Sequence, residues 1–127
     1  MAYKKKTKKV KRSVEHAVVS VKSSFNNTLV SITTVEGDVL FRGSAGRLGF
    51  KGSRKGTPFA ATQIGTNLAK EMATVGIKSV EINMDGLGAG RDAIVRAMQA
   101  ADLSITALRD VTPIPHNGTR APKKRRV

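Results

Sequence analysis

The chain of 127 residues contains no cysteine, and its only histidines are His16 and His116. Without cysteine it can form neither disulfide bonds nor thiolate metal sites, which fits a reducing compartment. A zinc ion would need carboxylates for most of its ligands, because two histidines cannot complete a tetrahedral site. We therefore predict that the protein has no metal site and no cofactor.

Long apolar runs are absent as well. No stretch approaches the roughly 20 apolar residues that cross a membrane. The basic N-terminus is followed by Glu15 and His16 and then by alternating polar and apolar residues. We therefore expect neither a signal peptide nor contact with a membrane.

Acidic residues are missing from three basic segments, which hold 17 of the 23 lysines and arginines. The other 88 residues carry six basic and nine acidic side chains, so these segments dominate the net charge of +14. The cations of residues 1–13 are Lys4, Lys5, Lys6, Lys8, Lys9, Lys11 and Arg12. Those of residues 42–55 are Arg42, Arg47, Lys51, Arg54 and Lys55. Those of residues 116–127 are Arg120, Lys123, Lys124, Arg125 and Arg126.

Acid-free basic segments repel themselves unless a polyanion neutralises them, and nucleic acid is the leading polyanion. A purely solubilising tail is the alternative for residues 1–13, but two further basic segments in the same chain favour nucleic acid. Three prolines, Pro113, Pro115 and Pro122, stiffen the C-terminal segment into an extended arm. We divide the chain into a basic tail (1–13), one α/β RNA-binding domain (14–112) and a basic arm (113–127). Both ends are expected to be disordered until they meet a partner.

The hydrophobic pattern predicts an α/β fold. Apolar alternation indicates two antiparallel strands between residues 14 and 35, joined at 25–27, and a third strand at 39–41 after a turn at 36–38. A helix is predicted from Pro58, with Thr57 as its N-cap and Gly76 at its end. A strand at 80–84, a helix at about 91–101 and a strand at 104–109 follow. The inward residues of that second helix are predicted to be Ile94, Met98 and Ala101.

Since helical crossovers join the last strands, we expect those strands to be parallel. The predicted fold class is a mixed five-stranded sheet with two main helices.

Residues 43–56 contain five glycines and no acid, and we predict a loop without a regular element. Glycines allow backbone N–H groups to approach phosphate, and the four cations of this stretch add charge. Phe50 offers a face on which a base could stack. The alternative is a mobile surface loop whose Phe50 packs into the core. No Gly-Lys-Ser or Gly-Lys-Thr sequence is present, which excludes a P-loop.

A second glycine-rich turn, at residues 86–91, precedes the second helix. A helix N-terminus beside Arg91 is a suitable site for an RNA phosphate. The alternative is a turn that only caps the helix. Its glycine spacing departs from a dinucleotide-binding fingerprint, because Arg91 stands where that motif needs glycine.

Catalysis has little support in the sequence. The carboxylates that could form a two-metal nuclease site are Asp38, Glu81, Asp85, Asp92, Asp102 and Asp110. Local roles explain several of them: Glu81 alternates with buried neighbours, Asp92 suits a helix N-terminus and Asp38 lies in a turn. We expect no enzymatic activity.

Several motifs occur together in the order found in one known family. They are Phe25-Asn26-Asn27-Thr28, residues 43–61, residues 86–91 and residues 115–127. From about Arg12 to Val127 the chain resembles the small-subunit ribosomal protein S11 family in its bacterial form. It departs from that family at Leu87, Thr119 and Gly65, where proline, cysteine and alanine are usual. We expect Leu87 and Gly65 to loosen the local structure by around 1 kcal/mol.

The resemblance implies a ribonuclease-H-like fold without nuclease activity. It also implies binding to the central domain of small-subunit ribosomal RNA in the cytoplasmic ribosome, on the platform beside neighbouring platform proteins. Messenger RNA or exit-site tRNA would lie close by. Besides the cations of the three segments, the predicted RNA contacts are Asn26, Asn27, Gly46, Gly49, Phe50, Gly52, Ser53, Thr57, Gly88, Gly90, Arg91, His116, Asn117 and Gly118.

Two other interpretations remain open from the sequence. One is a DNA-architectural protein, which the import-like sequence at residues 122–127 favours. The other is a nuclease of the same fold, which would need clustered carboxylates.

Overall fold

The computed structural model describes residues 15–126 and shows one mixed sheet with two α-helices. The N-terminal tail predicted at residues 1–13 lies outside the described residues. The elements in chain order are β1 (His16–Ser23), β2 (Thr28–Thr33), β3 (Val39–Ser44), a 3₁₀-helix (Gly52–Gly56), α1 (Pro58–Val75), β4 (Ser79–Asp85), α2 (Gly90–Ala100) and β5 (Ser104–Asp110). The predicted fold class is confirmed.

The sheet has the strand order β3-β2-β1-β4-β5. β1 pairs antiparallel with β2 and parallel with β4, so that Val19 lies between Ile32 and Ile82. β4 pairs parallel with β5, as predicted from the helical crossover. The hairpin strands therefore form one side of the sheet and the crossover strands the other.

One face of the sheet carries the core. Ala17, Val19 and Val21 of β1 are buried, whereas Ser20 and Lys22, on the other face of the strand, are exposed. Residues of α1 and α2 belong to the same buried cluster as the inward residues of the strands, so both helices cover this face. The largest fully buried apolar side chains are Ile32, Ile64, Met72, Ile82, Ile94 and Met98. Burial stabilises the fold by about 1.5–3 kcal/mol for each such side chain.

Helix α1 begins and ends where the sequence predicts. The Thr57 side chain accepts a hydrogen bond from the Ala60 N–H, and Pro58 occupies the first turn. Gly76 ends the helix in the left-handed conformation, with φ +85°. These local signals were sufficient because both caps depend only on residues within four positions of the helix end.

The expectation that Gly65 loosens α1 is wrong. Gly65 is buried where α1 crosses α2, and a Cβ atom at this position would lie 2.6 Å from the Cβ of Ala97. The missing side chain therefore allows the two helices to pack closely, a requirement that only the tertiary structure reveals.

Two further expectations need correction. Residues 43–56 are not wholly irregular, because β3 extends to Ser44 and a 3₁₀-helix spans Gly52–Gly56. That helix is closed by the Thr57 N–H and hydroxyl, which both donate to the carbonyl of Arg54. Ala101, predicted to face inward, is exposed, because α2 ends one residue earlier.

The topology brings many loops to one edge of the sheet. β1, β3, β4 and β5 end at this edge, β2 begins there, and both α-helices start there. We call this edge, with residues 24–27, 45–57, 86–89 and 111–112, the carboxyl end of the sheet. The opposite edge, with residues 34–38, 76–78 and 101–103, is the amino end.

Candidate nucleic-acid interface

The predicted RNA-contacting segments between residues 26 and 118 meet at the carboxyl end. The turn at 24–27, the glycine-rich segment, the turn at 86–89 and the start of the C-terminal arm all emerge there. The sequence shows these segments as far apart, and the sheet order makes them neighbours.

The turn at residues 24–27 is held by its own hydrogen bonds. The Ser24 hydroxyl oxygen accepts from the N–H groups of Asn26 and Asn27 at 3.3 and 3.1 Å. The Asn27 side-chain oxygen accepts from the Thr28 N–H at 2.8 Å. The predicted contact Asn27 is therefore half-buried and already engaged, whereas Asn26 is exposed.

Glycines bring the neighbouring segments against this turn. A Cβ atom on Gly56 would overlap the carbonyl oxygen of Phe25, and one on Gly88 would overlap the carbonyl oxygen of Ser24. Neither glycine has positive φ, so the close approach explains both positions. The turn is clamped between the 3₁₀-helix on one side and the turn at 86–89 on the other.

The first half of the glycine-rich segment forms a compact turn. The N–H groups of Leu48 and Phe50 donate to the carbonyl of buried Ala45, and Gly49 has φ +93°. The Arg47 N–H donates to the Ser44 hydroxyl, and its guanidinium donates to the carbonyl of Arg42. The predicted contacts in this segment thus sit on a defined backbone.

Cationic side chains surround a shallow pocket in this segment. The pocket has a volume of about 370 Å³ and is lined by Leu48, Gly49, Phe50, Lys51 and Arg54. Lys51 and Arg54 are exposed, as are the predicted contacts Arg42, Gly46, Arg47, Gly52 and Ser53, while Lys55 is half-buried. With no acid between residues 39 and 70, local charge at the pocket is positive.

Phe50 packs against the core, which was one of the two roles considered for it from the sequence. Its ring is half-buried against the core and makes an edge-to-face contact with Phe59, at 6.0 Å between centroids and 78° between planes. The structure therefore gives Phe50 a packing role. Thr57, another predicted RNA contact, is occupied in capping α1.

At residues 86–91, Arg91 and the two buried glycines already make contacts within the protein. The Arg91 guanidinium donates to the carbonyl of Gly86 at 3.0 Å and pairs with the Asp110 carboxylate at 3.4 Å. Gly88 and Gly90 are buried, and a Cβ on Gly90 would overlap the Thr28 hydroxyl. Packing accounts for these two glycines, which were predicted to contact RNA.

Asp110 and Thr112 fix the point where the C-terminal arm leaves the sheet. Hydrogen bonds from the hydroxyl and the backbone N–H of Thr112, with the Arg91 guanidinium nearby, lower the pKa of Asp110. The Thr112 hydroxyl also accepts from the Gly86 N–H at 3.0 Å. This network was not predicted from the sequence. The Asp-x-Thr spacing is its one local signal, since a short side chain often bonds the backbone two residues on.

Beyond this anchor, residues 113–126 form no helix or strand and are exposed. Asn117 and Gly118 have φ +79° and +24°, as expected for an Asn-Gly turn. The predicted contacts on this exposed arm are His116, Asn117, Gly118, Arg120, Lys123, Lys124, Arg125 and Arg126. The predicted cations of residues 4–12 lie outside the described residues.

Residues 15–126 contain no group of three or more His, Asp or Glu side chains that could hold a metal ion. The carboxylates are instead dispersed, and Glu81 pairs with Arg109 on the face opposite the helices. No helix in this described part is long and apolar enough to cross a membrane.

The chain matches the model of a known protein family. The family model described as Ribosomal protein S11 matches residues 17–126, which is most of the chain. The matched part covers β1 except for His16, every later element through β5, and the C-terminal arm up to residue 126.

Proposed function

The chain belongs to the ribosomal protein S11 family, and we propose that it binds small-subunit ribosomal RNA through the carboxyl end of its sheet and its basic termini. Family membership makes it a structural protein of the small ribosomal subunit. The RNA partner, the binding surface and the position within the subunit are the parts that we propose.

One observation supports the surface above the others. The glycine-rich segment, the turn at 24–27 and the arm lie at the same end of the sheet, so one face of an RNA can meet all three. Lys51 and Arg54 are exposed beside the pocket and can neutralise phosphates, which releases counterions and favours binding. The backbone between them and the core is held by hydrogen bonds, so these cations are presented on a fixed scaffold.

The arm has a related role in this proposal. Arg91, Asp110 and Thr112 hold its first residues at the carboxyl end. The exposed cations from Arg120 onward then extend away from the domain and can follow the RNA backbone. An anchored arm loses less freedom on binding than a free one, because its starting point is already fixed.

By resemblance to the family, the RNA is the central domain, and the protein helps to form the platform near the messenger and tRNA exit sites. Neighbouring platform proteins would contact surfaces outside the carboxyl end. The expected location is the cytoplasmic ribosome. In this role the protein shapes RNA and carries out no chemical reaction.

A nuclease-release experiment tests the proposal against the DNA-architectural alternative. Particles containing the protein are purified from cells and treated separately with RNase and with DNase. The proposal predicts release by RNase and retention after DNase. Release by DNase alone would contradict it.

A further inference from the structure

The most exposed aromatic side chain at the carboxyl end has no place in the contacts described above. Phe25 is 81% exposed at the tip of the turn between β1 and β2. Its neighbours Asn26 and Asn27 were predicted to contact RNA, whereas Phe25 itself was not. An exposed phenylalanine contributes little to the core, and single apolar side chains are common on protein surfaces, so its surroundings have to indicate its role.

The backbone that carries Phe25 is fixed on both sides. Gly56 packs against the Phe25 carbonyl, and Gly88 packs against the Ser24 carbonyl. Inside the turn, the Ser24 N–H donates to the Asn27 carbonyl at 2.9 Å. The ring is therefore held outward by a well-braced turn, and ordering it on a partner costs little conformational entropy.

The surroundings of Phe25 indicate the chemistry of that partner. Gly56, which touches the Phe25 backbone, directly follows Arg54 and Lys55 in the 3₁₀-helix. A flat aromatic ring next to cations is the arrangement with which proteins hold unpaired nucleotides, since the cations bind phosphate and the ring stacks on the base. Phe50 is less suited to this role because its ring is half-buried and in contact with Phe59.

We infer that Phe25 stacks on an unpaired base of the ribosomal RNA bound at the carboxyl end. This inference rests on the proposed function and adds to it a contact that is independent of charge. The ring has no hydrogen-bonding group, so the contact selects for an unstacked base and not for its identity.

Removal of the ring gives the first test. Phe25→Ala is compared with wild type for binding to purified small-subunit ribosomal RNA at several salt concentrations. The expected loss of affinity is about 5- to 150-fold, the range for one base–aromatic stack. Because stacking releases no counterions, the slope of log K against log salt should stay unchanged.

Leu87 provides a matched control. It is 72% exposed on the adjacent turn but has no aromatic face. Leu87→Ala should change the affinity much less than Phe25→Ala. Both variants should keep the thermal midpoint of wild type, because neither side chain is buried.

The absence of tryptophan from the chain allows a spectroscopic test of the stacking itself. The Phe25→Trp variant should bind RNA with near wild-type affinity. The fluorescence of its single indole should be quenched when a base stacks on it. In the Leu87→Trp variant, most of the indole fluorescence should remain unquenched after RNA is added.

The outcomes separate this inference from the proposed function. If wild type binds RNA while Phe25→Ala binds equally well and the indole fluorescence of Phe25→Trp does not change, the stacking inference is wrong and the proposed function stands. If Phe25→Ala binds RNA normally but fails to enter assembled subunits, Phe25 contacts a protein, which also overturns the inference. Failure of wild type to bind RNA would overturn both.

Discussion

The carboxyl end of the sheet uses glycine for a purpose that the amino end does not. At the amino end, Gly37 and Gly76 have φ values of +105° and +85°, and a Cβ on either would meet nothing within 4 Å. At the carboxyl end, Gly56 and Gly88 have no positive φ but lie directly against the backbone of the turn at 24–27. Glycine shapes turns at both ends, since Gly49 and Gly52 of the carboxyl end also have positive φ. Only at the carboxyl end does glycine also pack separate loops into one surface.

Charge follows the same division. The loops of the amino end hold three acids, Glu36, Asp38 and Asp102, against one cation, Lys78, and Glu15 lies just before β1. The glycine-rich segment of the carboxyl end is acid-free, and the basic arm begins there. A polyanion should therefore approach the carboxyl end and be repelled from much of the amino end. The difference supports the proposed RNA surface at the carboxyl end, while the core is shared by both ends.

The largest expected effect is loss of the folded domain, which disrupts both ends of the sheet at once. Ile64 is fully buried between α1 and the sheet, so Ile64→Asp places an unpaired charge in the core and should abolish cooperative unfolding and RNA binding. Thr66→Asp, on the exposed side of the same helix, should remain folded. Thermal unfolding followed by circular dichroism checks both variants. A cooperative transition for Ile64→Asp near the wild-type temperature would mean that the core is assigned wrongly.

A substitution at Gly56 should affect the carboxyl end selectively. Gly56→Ala forces a Cβ into the Phe25 carbonyl, so the turn or the 3₁₀-helix must move, and both RNA affinity and the thermal midpoint should fall. Gly37→Ala should lower stability by about 1–2 kcal/mol through its positive φ while leaving RNA affinity unchanged. Equal effects of the two variants on RNA affinity would remove the distinction between the ends.

Removing cations at the surface should affect RNA binding at the carboxyl end but not at the amino end, and should leave the fold intact. Arg54→Ala combined with Lys55→Ala should weaken RNA binding and reduce the salt slope by about 2, since each phosphate contact contributes roughly 0.9. The thermal midpoint should stay unchanged. Lys70→Ala combined with Lys78→Ala removes the same charge further from the carboxyl end and should leave the salt slope close to that of wild type. Normal RNA binding by the first variant would deprive the glycine-rich segment of its role.

The smallest expected effect concerns the anchor of the arm. Because its folded-state pKa is lowered, Asp110 adds stability above the ordinary Asp pKa and loses that contribution as the pH falls through the lowered value. Asp110→Asn should therefore reduce the thermal midpoint slightly at pH 7, and the difference from wild type should shrink as the pH falls below the ordinary Asp pKa and through the lowered one. Thr112→Val removes the hydroxyl donor and should act in the same direction. A difference that stays constant over this pH range would show that the anchor does not depend on the carboxylate.

Local signals explain how much of the fold could be predicted. Alternation marked β1, β2 and β4, and the Thr57–Pro58 start and Gly76 stop marked α1, because each pattern acts within a few residues. The site was predicted less completely. Its cations are visible in the composition, but their arrangement depends on sheet order.

Contacts between distant residues account for what the sequence did not reveal. Arg91 is 19 positions from its partner Asp110, and Gly65 meets Ala97 on another helix. Phe50 and Phe25 both lie in turn-rich stretches of the sequence, yet one packs inward and the other points outward. A single sequence carries no signal that separates these two outcomes.

Directed cleavage of the bound RNA tests most directly whether the carboxyl end faces it. The chain has no cysteine, so a single iron chelate can be attached at Ser53→Cys in the exposed 3₁₀-helix or at Glu36→Cys in the amino-end turn. Hydroxyl radicals from each site then cut nearby ribosomal RNA. The carboxyl-end account predicts strong cleavage from residue 53 and weak cleavage from residue 36. The reverse pattern, with both variants bound to RNA, would contradict it.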